Sequence, residues 1–143
     1  MKKYILTLVL TIALLPSMAQ KGLVRKGDYH FKMMAYPKAI PYYTKALKKD
    51  STLQEATFKL ADCYRLTNNR QMAEIWYAKA VKMSTVLPIY KFYYGQALMN
   101  NGKFAQAKKW MTDFVLDNKT DGRGQSFVKA IDTYQSFFID SSN

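Results

Sequence analysis

Apolar residues recur along this chain at steps of three and four, and the recurrence itself repeats. In FKLADCYRL, Phe58, Leu60, Ala61 and Tyr64 fall at helical spacing, and in MAEIWYAKAV so do Ala73, Trp76, Tyr77 and Ala80. Polar residues fill the intervening positions, so the two strings predict a pair of amphipathic helices. The second string has counterparts on both sides: AIPYYTKAL starts at Ala39, AEIWYAKAV at Ala73 and AKKWMTDFV at Ala107, with 34 residues from each alanine to the next. Unrelated helices have no reason to keep one period twice, so the spacing points to a repeat array. At the aligned positions, Ala39, Ala73 and Ala107 let neighbouring helices approach, while Tyr43, Tyr77 and Met111 fill the space one turn later.

Turn signals separate the two helices of each repeat. TNNR after Leu66 is a polar break, NNGK supplies Gly102 for the left-handed geometry that ends a helix, and MAYPK places Pro37 in a first helical turn. Pro41 fits less well. It lacks the N–H that would bond the carbonyl of Pro37, and its ring crowds that carbonyl, so a kinked or late-starting helix is expected there. After the third repeat DNKTDGRGQ reads as a loop. SFVKAIDTYQSFF then sets Phe127, Ile131, Tyr134 and Phe138 on one side of a seventh helix, which is expected to cap the apolar face left by the last pair.

The N-terminus follows a different pattern. Lys2 and Lys3 precede an uncharged, mainly apolar run from Tyr4 to Leu15, closed by Pro16 and small residues at Ser17 and Ala19. That order predicts a secretory signal peptide over residues 1–19, cut before Gln20. The run is shorter than the roughly 20 residues a spanning helix needs. Beyond it, 20 Lys and Arg face 10 Asp and Glu, a net charge of +10. This favours solubility and attraction to anionic surfaces without bearing on fold. The lysines read as scattered through the helices and not gathered in one block. By length the exported part is one domain, and with Cys63 as its single cysteine it depends on packing for stability.

On these residues the chain resembles the tetratricopeptide repeats, 34-residue helix-turn-helix units. The resemblance sets units at 20–53, 54–87 and 88–121, with 122–143 as capping helix and tail. The small residue of the first helix falls on Gly27, Ala61 and Gly95, and that of the second on Ala39, Ala73 and Ala107. The pattern is broken by His30 where the other units have Tyr64 and Leu98, by Phe114 where they have Ala46 and Ala80, and by Ser51 and Thr85 in place of a closing proline. The resemblance implies an all-α fold, a right-handed α-solenoid of three units plus a C-terminal capping helix.

The whole layout, an export signal ending in Ala-Gln, a short repeat block containing AIPYYTKAL and LADCYRL, and a last helix running into FFIDSSN, is similar to the front end of OmpA-family envelope proteins. In that family such a block precedes a β-propeller-like region and a peptidoglycan-binding domain, and some members are associated with type IX secretion and gliding. Neither later domain stands in this sequence, so peptidoglycan binding is not carried over. The similarity implies export to the periplasm or outer-membrane periphery of a Gram-negative envelope, with a protein partner of the envelope or of secretion. Peripheral association with the outer membrane or peptidoglycan is expected from the basic surface and not from a peptidoglycan-binding domain.

Catalytic and metal chemistry find little support. His30 has only Asp28 nearby, on another helical face, and one ligand does not make a metal site. Cys63 occupies a packing position, where a thiol is inert. Gly122 and Gly124 lack the Lys-Ser/Thr pair of a phosphate cradle, and the carboxylates are dispersed. The expectation is a non-enzyme with no cofactor, no metal and no nucleic-acid partner.

Binding is what the resemblance implies. In the family the first helices of successive units line a concave groove. This nominates Val24, Phe58 and Phe92 for its floor and Lys21, Arg25, Asp28, Phe31 and Lys32 beside them in unit one. Unit two adds Lys59, Asp62 and Arg65, and unit three Tyr93, Gln96 and Met99. The family's carboxylate clamp for chaperone tails uses Lys and Asn where this chain has Val24 and Asp28, which argues against that ligand. A mixed basic and aromatic surface remains, suited to an extended or helical segment. An adaptor docking an envelope protein is the first expectation, and a basic module on wall polymers or anionic membrane is the second.

Overall fold

The computed structural model describes residues 20–140, with side chains through Ser136. The signal-peptide reading of residues 1–19 and the place of the Phe138 side chain lie outside the described residues. Among the described residues there are seven helices and no strand: α1 (20–32), α2 (Tyr36–Lys49), α3 (Gln54–Leu66), α4 (Arg70–Ala80), α5 (Pro88–Asn100), α6 (Phe104–Asp117) and α7 (Gly122–Asp140). The fold is all-α. Length alone points to one domain, but the chain divides between Thr67 and Asn68 into two compact units. In a repeat array each helix contacts mainly its sequence neighbours, so compactness belongs to local groups of helices.

The first unit holds α1 to α3. Its centre is Tyr43 of α2, fully buried beside Ala39 and Ala46. Gly27 of α1 lies against that ring so closely that a Cβ would stand 2.6 Å from Cε1. A small residue on the first helix thus admits the large residue of the second. Leu60, Ala61 and Cys63 of α3 complete the core. Pro37 sits in the first turn of α2, as the spacing predicts, but Pro41 does not delay the helix, which runs unbroken from Tyr36 to Lys49. Only the bond to the Pro37 carbonyl is lost. Pro37 and Pro41 are both exposed, so water is available to that carbonyl.

The second unit holds α4 to α7. α5 is apolar almost all round because it has neighbours on several sides, with α4 and α6 packed against it and Phe127 of α7 meeting its Phe92 ring at 5.2 Å. Phe92, Leu98, Ala107, Met111, Phe114 and Ile131 form one buried cluster. The small-to-large pairing recurs: a Cβ at Gly95 would lie 2.9 Å from Cε of Met111.

α7 begins earlier than the sequence pattern predicts, at Gly122, so the loop is confined to residues 118–121. Asp121 caps the helix start, its Oδ1 accepting the Arg123 N–H at 3.0 Å, and packing accompanies it. Gly124 faces Phe114, where an added Cβ would stand 2.7 Å from Cδ1. A phenylalanine thus replaces the alanine of the other units, and a glycine in the cap makes room for it. Ile131 is buried as expected, whereas Tyr134 is 47% exposed, its ring 4.7 Å from that of Phe104.

The turns within the repeats share one backbone device. Positive φ occurs at Met34 (56°), Asn68 (57°) and Gly102 (76°), at the same 34-residue interval as the alanines. Glycine and asparagine tolerate that geometry, while methionine carries a steric cost of about 1 kcal/mol there. In the first and third turns the following N–H closes back five residues, Ala35 to the His30 carbonyl and Lys103 to that of Leu98, both at 2.9 Å.

Candidate functional site

The candidate binding surface is built most fully in the first unit, on the faces of α1 and α3. Asp28 of α1 is the organising residue. Its Oδ1 accepts a hydrogen bond from the Tyr43 hydroxyl at 2.7 Å and another from Lys59 Nζ of α3, also at 2.7 Å. One carboxylate therefore ties three helices together. Lys59 also reaches Glu55 one turn earlier, at 2.6 Å. Burial pulls the Lys59 pKa down, but the bonds to Asp28 and Glu55 outweigh it and hold the ammonium above its ordinary value. Burial, reinforced by the adjacent Asp28, raises the Tyr43 phenol far above the usual tyrosine range.

Next to this network lies an open cleft of about 530 Å³. Val24 of α1 and Leu53 before α3 supply its apolar surface, backed by the buried Ala56, while Lys21, Arg25, Asp50 and Glu55 bring charge to it. Glu55 is paired with Lys59, and Asp50 at the far end is bonded to the Thr52 hydroxyl and N–H. Lys21 and Arg25 are exposed and form no ion pair among the described residues. The cations of the cleft thus remain without an ion pair beside an apolar floor, while its carboxylates are held by Thr52 and Lys59.

The structure sorts the other nominated residues. Phe31 is half-buried, edge-on to Tyr36 at 5.4 Å, and Lys32 is exposed. Asp62 and Arg65 pair with each other at 3.5 Å. Phe58 is 7% exposed and Phe92 4%, so both stiffen the helices from within and offer little surface to a ligand. In the second unit Tyr93 stacks on Tyr77 at 5.9 Å, Met99 packs against the core and Gln96 is half-buried. Leu53, Glu55 and Ala56 were not among the residues nominated from the sequence. The available signal was the period: Glu55 stands 34 residues after Lys21.

Elsewhere the chemistry is quiet. Burial, with Asp62 adding to it, pushes the Cys63 thiol up to about 12, where it stays protonated and unreactive at neutral pH. His30 stacks on Tyr42 at 5.4 Å. Among the described residues no three His, Cys, Asp or Glu side chains come together to hold a metal, and no helix is long and apolar enough to cross a membrane.

Comparison with known proteins agrees with this architecture. A family model described as tetratricopeptide repeat matches residues 55–85. The first TPR of Spaghetti (RPAP3), solved with the HSP90 peptide SRMEEVD, is similar at 21% identity and a TM-score of 0.72, covering 82% of this chain and 93% of that one. The second TPR domain of human RPAP3, in complex with the HSP70 peptide SGPTIEEVD, gives 20% identity and a TM-score of 0.71, covering 82% and 98%. The Yersinia enterocolitica type III secretion chaperone SycD, in complex with a peptide of the translocator YopD, gives 17% and 0.69, covering 80% and 93%. At such identities the likeness establishes the fold alone. No curated protein matches the sequence.

Proposed function

From the premise of a chain with the tetratricopeptide-repeat fold, we propose that it is a non-catalytic protein-interaction module that docks a partner segment in the cleft between α1 and α3. The observation that carries this reading is the pair of uncommitted cations, Lys21 and Arg25, beside the apolar surface of Val24 and Leu53. The nearby carboxylates Asp28 and Glu55 share Lys59 as their partner and leave Lys21 and Arg25 unpaired. A segment bearing one carboxylate and one apolar side chain complements that arrangement. The two RPAP3 domains hold peptides that end in Glu-Glu-Val-Asp, which makes the class of ligand reasonable. Val24 and Asp28 still argue against the chaperone-tail clamp itself.

The cellular setting is part of the same proposal. The N-terminal pattern and the likeness to the repeat block of OmpA-family proteins support an exported adaptor in the periplasm or at the outer-membrane periphery. Its partner there would be an envelope or secretion-associated protein. Cross-linked capture from envelope extract tests the reading with Lys21→Glu/Arg25→Glu against wild type. The doubly reversed protein is expected to lose the partners that wild type retains. Identical partner sets would refute the cleft.

A further inference from the structure

The positive charge, which reads along the sequence as scattered, is concentrated in one hairpin. Residues 20–49 carry eight Lys and Arg and a single acid, Asp28, whereas the remainder to Asn143 carries twelve against nine. Asp28 is tied to Lys59 of α3. α2 has four lysines, all exposed, and no acidic residue.

At the turn between α1 and α2 this basic hairpin has an apolar tip. Tyr29 is 62% exposed, Met33 64% and Met34 75%, the most exposed large apolar side chain of the described residues. Tyr29 and Met33 are one helical turn apart and share a face, with Met34 immediately beyond them. Lys26, Lys32 and Lys38, all exposed and without ion pairs among the described residues, flank the tip on both sides. Folding gives no reason for Met34. Its backbone holds a left-handed φ of 56° where the equivalent turns have Asn68 and Gly102, and its side chain stays in water.

We propose that the α1–α2 tip is a peripheral membrane anchor, in which Tyr29, Met33 and Met34 enter the headgroup region of an anionic bilayer and the surrounding lysines bind its phosphates. A protruding turn with two unbranched side chains suits a soft, deformable surface. A protein pocket would need a concave fit to a convex tip. Lysines also suit the role, since their aliphatic stems lie along the apolar boundary while the ammonium groups remain at the headgroups. Each basic residue near such a surface adds to the attraction, and a few apolar side chains supply the second signal needed for stable attachment. The anchor uses a different surface from the α1–α3 cleft, so either reading can fail alone.

The test uses protein purified after export, its N-terminus established by mass spectrometry, and co-sedimentation with lipid vesicles. One set is phosphatidylcholine alone and the other contains about one third phosphatidylglycerol. Binding is expected on the anionic set only, and should fade as salt rises from about 0.05 M to about 0.5 M. Met33→Ser/Met34→Ser and Lys26→Gln/Lys32→Gln/Lys38→Gln should each weaken it about tenfold or more, with helicity unchanged because every altered side chain is exposed. A Met34→Trp variant in a Trp76→Phe/Trp110→Phe background should show a blue-shifted emission quenched by brominated lipid. Equal binding to neutral vesicles, no binding to either set, or full binding by the methionine variant would each overturn the proposal. So would an emission from the Met34→Trp variant that brominated lipid leaves untouched.

Discussion

The Tyr43 hydroxyl and the Asp28 carboxylate, 2.7 Å apart, join the largest fully buried side chain of the first unit to the charged network beside its candidate cleft. Asp28 also binds Lys59 at 2.7 Å, so this contact orders α1, α2 and α3 together. Tyr43→Phe keeps the ring and removes the donor. It is expected to cost about 1–3 kcal/mol, measured by urea unfolding, as a hydrogen bond to a charged acceptor is lost. A variant as stable as wild type would show that Lys59 alone satisfies Asp28.

Alkaline pH should weaken the first unit. Cys63 is raised from 9.0 to about 12, and Tyr43 and Lys59 also lie above their ordinary values. For the thiol and the phenol the fold favours the neutral, protonated form. The unfolded chain releases those protons first as pH rises, so their stabilisation is complete below the unfolded pKa and declines above it. The same sign holds for Lys59, whose protonated form the fold favours through Asp28 and Glu55. Unfolding free energy should begin to fall above about pH 9, by about 1.4 kcal/mol per pH unit for each group that titrates only in the unfolded state. Cys63→Ala should flatten the first part of that decline, and a parallel curve would contradict the assignment.

In the second unit, Tyr77 is fully buried and Ala73 3% exposed, one turn before it. Tyr77→Ala should open a cavity costing about 3–5 kcal/mol, and Ala73→Leu should overpack at about 1–3 kcal/mol. Wild-type stability in both variants would defeat the small-to-large reading of the repeat.

The cap depends on a matched pair. Gly124→Ala would bring a Cβ to 2.6 Å from Val115 Cγ2 and 2.7 Å from Phe114 Cδ1, and should cost about 1–3 kcal/mol. In a Phe114→Leu background the same change should cost less. A double-mutant cycle with no coupling would separate the two residues.

Met34→Gly places at the first turn the residue found at Gly102. Relief of the left-handed strain is expected to raise stability by about 0.5–1 kcal/mol, net of the greater freedom of the unfolded chain. Attachment to anionic vesicles should weaken in the same variant. A gain in stability with undiminished attachment would detach Met34 from the membrane tip.

Much of this molecule is legible along the chain. Helix spacing, the alanine period, and the places of Tyr43 and Met111 opposite small residues are all written in linear order, because an amphipathic helix exposes and buries positions by a fixed local rotation. Helix α7 starts early behind the local Asp121 cap, whereas Phe114 stands where an alanine recurs elsewhere for a reason found where Gly124 meets that ring. Phe58 and Phe92 look like groove residues by register and are enclosed by packing.

The candidate site divides along the same line. Lys21, Val24 and Arg25 could be nominated from their positions in the repeat, but not that Arg25 would stay free while Lys59, a residue of the same kind, would be consumed by Asp28 and Glu55. Which helices form, and which of their faces are apolar, follows from neighbours a few residues apart, so the linear order was enough. Pairing among charges, and the room a ring finds beside a glycine, depend on atoms from distant positions competing for the same few ångströms. Only the packed chain decides that.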